Sequence, residues 1–232
     1  MNNKSLSRFF VIACAGVLSG CLVPEKFTAK VDVKSDGAYS FSYSGTAVNA
    51  LVSAQLVQGG NLSDKDRQAL DAEAERMRSS KEIRKAVHKG NGRYELEIEQ
   101  EKAAGKPLSV MDSFWIRTDK AGVMTISSIE IKEKDKKEFS RLGLTINGTL
   151  EVRVPKDVEV ISHNATSTPT WGFGAYTWKI GRIDERPMMK LNFKNLAAEA
   201  TGPAASDKAG IANQETAATE RSSKPAKSRQ LF

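Results

Sequence analysis

Two histidines, His88 and His163, are the only imidazoles in the 232 residues. A hydrolase needs a nucleophile activated by such a base, and the sequence has no G-x-S-x-G turn to present a nucleophilic serine. His88 lies in a basic segment that we interpret as a helix end, where an imidazolium interacts favourably with the helix dipole. His163 lies in an asparagine-containing turn, so a hydrolase acting through His163 is the catalytic hypothesis that the sequence leaves open.

The spacing of polar side chains gives no indication of a metal or cofactor site. The two histidines lack the H-x-x-x-H or H-E-x-x-H spacing that brings ligands onto one helical face, and no glycine-rich phosphate loop follows a predicted strand. Glu95, Glu97 and Glu99 share one face of a predicted strand and could bind a cation. Such a row more often faces lysines on the neighbouring strand. We therefore expect surface ion pairs there, and no catalytic residues, cofactor or metal.

Cys21 carries the most specific chemistry in the sequence. Residues 9–18 form an apolar run after Lys4 and Arg8, and residues 18–21 read Leu-Ser-Gly-Cys. Basic residues followed by a short apolar run are typical of a secretory signal peptide. A helix over residues 9–18 would be about 15 Å long, which is too short to span a bilayer. The thiol at the end of this run is a candidate for covalent modification.

The segment around Cys21 resembles a bacterial lipobox. The resemblance implies that the Cys21 thiol receives a diacylglyceryl group, that the leader is cleaved before Cys21, and that the new amino group is acylated, for example with palmitate. Leu22 follows the cysteine where an aspartate would be the usual enterobacterial signal for the inner membrane, so the outer membrane is expected. Conventional cleavage at residues 13–15 (Ala-Cys-Ala) is the alternative.

The chain divides into four predicted segments. We expect residues 1–20 to be a cleaved signal peptide and residues 21–26 to be a lipidated tether. Residues 27–195 are long enough for a single domain with its own core. Residues 196–232 are rich in Ala, Ser, Thr and Lys and have few large apolar side chains, so we expect them to be disordered.

The distribution of charge argues against a nucleic-acid partner. The formal net charge is +7, which could suit an anionic surface. The charges are scattered, however, with both signs mixed in residues 134–138, and no nucleic-acid-binding motif is visible. The basic tip at residues 221–232 is a candidate contact with anionic peptidoglycan or lipid, and a flexible terminus without a partner is the alternative.

Alternating apolar residues predict an α+β fold built mainly from antiparallel sheet. Residues 27–33 and 39–43 alternate on either side of an Asp-Gly turn, which predicts a hairpin. Further strands are predicted at residues 94–99, 113–117, 124–131 with a bulge near 127–128, 149–154, 176–180 and 189–193. The helices that a parallel doubly wound sheet needs between successive strands are missing after residue 90.

Two helices are predicted in the N-terminal half. Residues 47–58 fit a helical apolar stripe, which we expect to be buried against the sheet, and contact with lipid beside the anchor is the alternative. The second helix begins after Ser63, a good N-cap, and is expected to end before Gly90. A short helix or turn is expected within residues 132–142.

Residues 144–193 carry the most distinctive pattern. A glycine turn leads to an amphipathic strand that ends near Pro155, then to an extended segment reaching Asn164 and a strand that carries Trp178. This order resembles the second half of the LppM-type domain of bacterial lipoproteins, and it is similar to uncharacterised proteobacterial lipoproteins with an N-A-T-S-T-P segment. The resemblance implies a lipid-anchored, β-rich envelope domain without family-wide catalytic residues.

The candidate ligand or partner loop consists of His163, Asn164, Thr166, Trp171 and Tyr176. These side chains would be presented to a ligand from the segment between two strands. The alternative is a structural turn, since Asn and Thr side chains readily bond nearby backbone groups. In that case the loop would orient the tryptophans into the core.

We therefore expect a non-enzymatic envelope lipoprotein. It would be held on the periplasmic side of the membrane through Cys21, and would bind a protein or an envelope glycolipid through a sheet face or residues 163–174. A hydrolase acting on envelope material through His163 and a purely structural envelope component are the alternatives.

Mass spectrometry of the mature protein should find a lipidated Cys21 as the first residue, because cleavage and thioether formation take place at the same cysteine. A Cys21→Ser variant should then leave the membrane fraction in high salt. A free Gly16 with an unmodified Cys21 would contradict the prediction and support conventional cleavage.

Overall fold

The structure, a computed structural model, describes residues 22–170 and 174–193. Within these residues the chain forms eleven strands and three helices. The strands are β1 (Leu22–Val33), β2 (Tyr39–Asn49), β3 (Ile83–His88), β4 (Arg93–Lys102), β5 (Leu108–Val110), β6 (Phe114–Thr118), β7 (Val123–Ser128), β8 (Asn147–Arg153), β9 (Glu159–His163), β10 (Tyr176–Ile180) and β11 (Met188–Asn192). The helices are α1 (Ala50–Val57), α2 (Asp64–Arg78) and α3 (Glu133–Arg141). The predicted signal peptide, Cys21 and the predicted tail lie outside the described residues.

The strands form two sheets, and the predicted α+β class is confirmed. One sheet has six strands in the order β10-β8-β1-β2-β4-β3, and the other has five in the order β5-β6-β7-β11-β9. The named strand pairs are antiparallel except for β1 and β8, which run parallel. The third helix, α3, lies in the C-terminal half of the domain, where the sequence left a helix or a turn open.

The predicted first hairpin is confirmed. Val33 of β1 pairs with Tyr39 of β2 across the Asp-Gly turn. Gly37 has a φ of 82°, and Asp36 Oδ1 accepts a hydrogen bond from the Ala38 N–H at 2.9 Å. Glycine adopts this left-handed conformation without steric cost and aspartate bonds the backbone two residues on, which is why this dipeptide turns the chain here.

The inner faces of the two sheets share one hydrophobic core. Phe27 of β1 stacks on Tyr43 of β2, with ring centroids 5.5 Å apart, and meets Phe114 of β6 edge-on at 5.6 Å. Helix α2 covers the β3–β4 side of the same face, where the fully buried Tyr94 donates a hydrogen bond from its hydroxyl to Glu73 Oε2 at 2.6 Å. The other face of the six-stranded sheet is mostly polar, as the alternation predicted. The exception is Val48 of β2, which is buried in a second, small cluster with Leu142 and Leu144.

Helix α2 begins as predicted and ends earlier. Ser63 and Asp66 form a reciprocal capping box, which supplies partners for two of the N–H groups that a helix start leaves free. The helix ends at Arg78, and the chain then forms β3, whereas the sequence analysis continued the helix towards Gly90. His88 is therefore the last residue of a strand and does not lie at a helix end.

Two other strand predictions need correction. Strand β7 ends at Ser128, so residues 129–131 do not continue it beyond a bulge. Ile129 is exposed, and Ile129 and Ile131 face a cleft described below. The short strands β5 and β9 were not predicted as separate elements, because three and five residues give too little alternation to recognise.

Strand β1 starts five residues before the predicted domain boundary. Leu22 pairs with Asn49, and the register shifts between Pro24 and Lys26. A bulge accommodates proline in a strand because no ladder hydrogen bond is required from it there. Residues 22–26 are therefore part of the sheet, and the described structure leaves no tether between Leu22 and the domain.

Helix α1 is shorter than predicted. Residues 47–49 complete β2, and the side-chain oxygen of Asn49 then caps the helix by accepting hydrogen bonds from the N–H groups of Leu51 at 3.1 Å and Val52 at 3.3 Å. Val52 packs in the core, whereas Leu51 is 54% exposed and Val57 is 49% exposed. The helix thus buries one side, as predicted, and leaves apolar side chains on the other.

Gly45→Ala should destabilise the domain. Gly45 lies opposite Phe27, and a Cβ at position 45 would overlap the Lys26 carbonyl oxygen and the Phe27 Cα. Because these are backbone atoms, the strand itself must shift, and we expect a loss of about 1–3 kcal/mol in the free energy of unfolding measured with urea.

Gly181→Ala is the matched control, since nothing lies within 4 Å of a Cβ at that position. It should change the free energy of unfolding by less than about 0.5 kcal/mol. Equal effects of the two substitutions would show that the close approach at Gly45 is not a constraint.

Candidate functional site

A cleft of about 440 Å³ lies at the end of the domain where β1 begins. Its walls come from the start of β1, the first residue of α1, the β5–β6 turn, the segment after β7, helix α3 and the β10–β11 loop. Its volume lies within the range of about 300–1,000 Å³ that is usual for small-molecule sites. The cleft is therefore the candidate binding site.

The interior of the cleft is apolar. Phe27 and Phe114 close it towards the core, and Phe139, Ile146 and Ile180 form its sides. These residues come from both sheets, from α3 and from the segment before β8, so the cleft lies at an end of the core where both sheets contribute. An apolar wall of this kind suits a hydrocarbon chain better than a polar metabolite.

The mouth of the cleft is charged. Its acidic side chains, all exposed, are Asp112, Glu130, Asp184 and Glu185. Its basic side chains are the exposed Arg186 and the half-buried Lys136. The acids outnumber the bases there, although the chain as a whole has a net charge of +7. A free anionic group would therefore be repelled more than a neutral or amine-bearing one.

Most of these charges already have partners within the mouth. Arg186 donates from Nε to the Ser128 carbonyl oxygen at 3.0 Å, and its Nη1 lies 3.5 Å from Glu130 Oε2. The hydrogen bond that Lys136 donates to Glu133 raises the pKa of Lys136, and the hydrogen bond that Asp184 accepts from Arg182 lowers the pKa of Asp184. The pair of Arg186 and Glu130 joins the β10–β11 loop to the segment after β7, whereas Lys136–Glu133 lies within α3 and Arg182–Asp184 within the loop.

Backbone strain is concentrated at the β5–β6 turn, which lines the cleft. Met111 and Asp112 have φ values of 49° and 46°, and the Ser113 N–H donates to the Val110 carbonyl oxygen at 3.0 Å. A turn with positive φ at both central positions is of the type that usually carries Asn-Gly. Methionine is an unfavourable residue there, and strain of this kind often accompanies a binding site. Here it places Met111 in the cleft wall.

The structure gives Asn164 of the predicted loop a structural role. Its Oδ1 accepts hydrogen bonds from Trp178 Nε1 at 2.7 Å and from the Met188 N–H at 2.8 Å, and its Nδ2 donates to the Arg186 carbonyl oxygen at 2.8 Å. Trp178 belongs to one sheet and Met188 to the other. Asn164 therefore ties the two sheets together beside the β10–β11 loop.

The other loop residues make local contacts. His163 Nδ1 accepts a hydrogen bond from the Ala165 N–H at 3.2 Å, and its ring lies 4.8 Å from that of Tyr176. Thr166 Oγ1 accepts from the Lys179 N–H at 3.1 Å. These residues lie together as predicted but do not line the cleft, and Trp171 lies outside the described residues. The geometry therefore matches the structural-turn alternative.

A second group of ionisable side chains lies between α2 and the sheet. His88 Nδ1 is 2.7 Å from Asp71 Oδ1, and His88 Nε2 is buried without a hydrogen-bond partner among the described residues. Burial raises the pKa of the Tyr94 hydroxyl, and its hydrogen bond to Glu73 raises it further. None of these four residues lines the cleft, so we assign them to holding α2 on the sheet.

The glutamate row on β4 faces basic side chains, as the sequence analysis expected. Lys85 Nζ donates to Glu95 Oε1 at 2.6 Å and lies 3.8 Å from Glu97 Oε1, and Arg84 Nε donates to Glu99 Oε2 at 3.1 Å. Over residues 22–170 and 174–193, no group of three or more His, Cys, Asp or Glu side chains is placed to hold a metal ion. No helix in the same residues is long and apolar enough to cross a membrane.

The cleft is not predictable from the sequence because its wall residues are far apart along the chain. The one local signal was the apolar pair at Ile129 and Ile131, which was out of phase with the preceding strand and was interpreted as a bulge. Apolar residues that do not fit a strand's alternation are candidates for a pocket wall. In the sequence alone nothing connects them to β1 or α3.

Comparisons with known proteins find distant likenesses among solved structures. No family model matches the chain, and no curated protein matches it. Among solved structures, the chain is similar to the NMR structure of the folded domain of the Mycobacterium tuberculosis LppM protein, with 9% sequence identity and a TM-score of 0.35. The match covers 75% of this chain and 91% of that one. The LppM domain, which residues 144–193 resemble, is thus among the structural neighbours.

Asn164→Ala should lower the free energy of unfolding by about 1–3 kcal/mol, because Trp178 Nε1 and the Met188 N–H both lose their acceptor. Urea denaturation followed by tryptophan fluorescence measures the change. Thr168→Ala, at an exposed position of the same loop, should change stability by less than about 0.5 kcal/mol. A loss no larger than that of the control would remove the structural role given to Asn164.

Proposed function

We propose that this chain is a lipid-anchored protein of the bacterial cell envelope that binds an amphipathic envelope lipid, with a glycolipid as the favoured class, and catalyses no reaction. The observation that carries the proposal is the position of the cleft. Leu22 lines it, and Cys21, the candidate for acylation, is the preceding residue in the chain. An apolar site would then open beside the lipid from which its ligand comes.

The anchor is proposed from the sequence around Cys21. Each acyl CH₂ buried in a bilayer contributes about 0.8 kcal/mol, so a cysteine that carries several chains would stay in the membrane almost permanently. We place the anchor in the outer membrane because Leu22 follows the cysteine. A contact of the basic residues 221–232 with peptidoglycan remains part of the proposal.

The chemistry of the cleft supports an amphipathic ligand. The aromatic and aliphatic interior suits an acyl chain, and the charged mouth offers hydrogen-bonding groups to a polar head. Because acids predominate at the mouth, a head with hydroxyl or ammonium groups fits better than a free phosphate. A sugar supplies hydroxyl donors to carboxylates such as Asp112 and Glu185, which is why we favour a glycolipid.

A hydrolase acting through His163 is less well supported. The Nδ1 atom of His163 already accepts the Ala165 N–H, and His163 lies outside the cleft wall. No contact in the described residues pairs this imidazole with a serine or threonine hydroxyl. A purely structural envelope role would leave the cleft without a ligand. The binding experiment below distinguishes this role from lipid binding.

The cleft should bind phosphatidylethanolamine that carries a fluorescent nitrobenzoxadiazole group on one acyl chain. The mature chain with Cys21→Ser is mixed with this probe, and binding is followed as an increase in fluorescence when the dye enters an apolar site. Ile183→Trp fills the cleft from the β10–β11 loop and should weaken binding at least about tenfold, a change worth about 1.4 kcal/mol.

Ile161→Trp is the matched control, because Ile161 is exposed and does not line the cleft. It should bind the probe as the unsubstituted chain does. Equal binding by the two tryptophan variants would mean that the probe does not occupy the cleft. Absence of binding to the unsubstituted chain would favour the purely structural role.

A further inference from the structure

Residues 37–63 contain no charged side chain, although 27% of the chain is charged. In β2, burial explains the absence of charge, since Tyr39, Phe41 and Tyr43 are core residues. Burial does not explain the absence of charge in helix α1 and the turn after it. They lie at the surface and still carry no charge, whereas α2, which follows directly, is charged along most of its length.

The outer side of α1 is apolar and open. Val52 and Ser53 are buried against the domain, and Leu51 and Val57 are two of the large apolar residues that the described surface leaves exposed. Leu51 and Val57 are six residues apart, so about 120° separates them around the helix. Ala54, between them in the sequence, is half-buried and packs against Val48, Leu142 and Leu144. The remaining exposed residues of this side, Gln55 and Gln58, are polar without being charged.

The position of α1 is fixed relative to the start of the described chain. Leu22 pairs with Asn49, and Asn49 caps α1. Ala50, the first residue of the helix, lines the same cleft as Leu22. Consecutive Cα atoms are about 3.8 Å apart, so a group attached to Cys21 starts within a few ångströms of the strand that leads into this helix.

We propose that α1 docks on the lipid surface of the membrane, with Leu51 and Val57 inserted among the acyl chains at the interface. The inference rests on the lipid anchor of the proposed function and adds an orientation to it. Because β1 starts at Leu22, the anchor leaves the domain little freedom to turn away from the membrane. The helix that lies closest to the start of β1 is the one that lacks charge.

Membrane contact through α1 also explains how the cleft receives its ligand. Ala50 and the exposed Ile129 both lie at the cleft, so docking of α1 brings the mouth to the interface. A lipid could then move its acyl chain into the cleft without crossing water. The acidic groups of the mouth would remain at the level of the headgroups, where they can be solvated.

The test uses the full chain, produced in a bacterium, extracted from membranes and reconstituted into vesicles of phosphatidylethanolamine and phosphatidylglycerol. Cys14 belongs to the predicted leader and Cys21 is blocked if it is acylated, so an introduced cysteine is the one free thiol. Leu51→Cys and Val57→Cys are each labelled with a nitrobenzoxadiazole dye. Quenching is then measured with lipids that carry a nitroxide near the start of one acyl chain.

Ala121→Cys is the matched control. Ala121 is exposed in the β6–β7 turn, at the opposite end of β6 from Phe114, which lines the cleft. We expect the nitroxide lipids to reduce the emission of the labels at positions 51 and 57 at least twofold more than that of the label at 121. Flotation of the same vesicles reports separately whether the protein is anchored.

The outcomes are distinguishable. Protein that floats and shows the expected difference supports docking of α1. Protein that floats with equal quenching at all three positions, or with none, overturns the docking and leaves the anchor intact. Protein that does not float with the vesicles overturns the anchor of the proposed function, and the docking that depends on it is overturned as well.

Discussion

The place of β1 between β2 and β8 is the constraint on which the rest of the structure depends. β1 pairs antiparallel with β2 and parallel with β8 from Lys26 to Asp32. A shift of one residue would break both ladders and turn Ala29 and Val31 out of the core. Leu22 is therefore held at the cleft, and a lipid on the preceding residue would have one peptide unit of freedom. The positions of the cleft and of α1 both follow from this one strand.

Alternation predicted the strands that bury one face and expose the other, because that pattern is local. It identified the β1–β2 hairpin and β10 from a few residues each. It did not identify β3, since the charged segment after Arg78 fits a helix as well as a strand. Pairing with β4 stabilises the strand: Ile83 and Ala86 of β3 pair with Ile98 and Leu96 of β4. Tertiary pairing of this kind decides secondary structure where the local pattern is ambiguous.

The cleft could not be predicted from the sequence and the role of Asn164 only in part, since both depend on how the two sheets meet. Sequence reasoning found Asn164 and its turn, and even weighed a structural role for it. That Asn164 joins β10 to β11 depends on the two strands lying in different sheets that end side by side. The cleft also depends on the two sheets ending side by side. They leave a gap beside Phe27, and α3 and the β10–β11 loop enclose it. No spacing in the sequence encodes that gap.

The stability of the fold does not account for the apolar, uncharged residues on the outer side of α1. The helix is held by Val52 and by the Asn49 cap, and a glutamate or lysine at position 51 would have nearly the same helix propensity as leucine. Exposed apolar area costs about 25 cal/mol per Å² relative to burial, so Leu51 and Val57 are unfavourable in water. The charged surface begins abruptly at Asp64, where α2 starts. A surface that changes from uncharged to densely charged within one turn of chain suits a domain that meets lipid on one side of that boundary and water on the other.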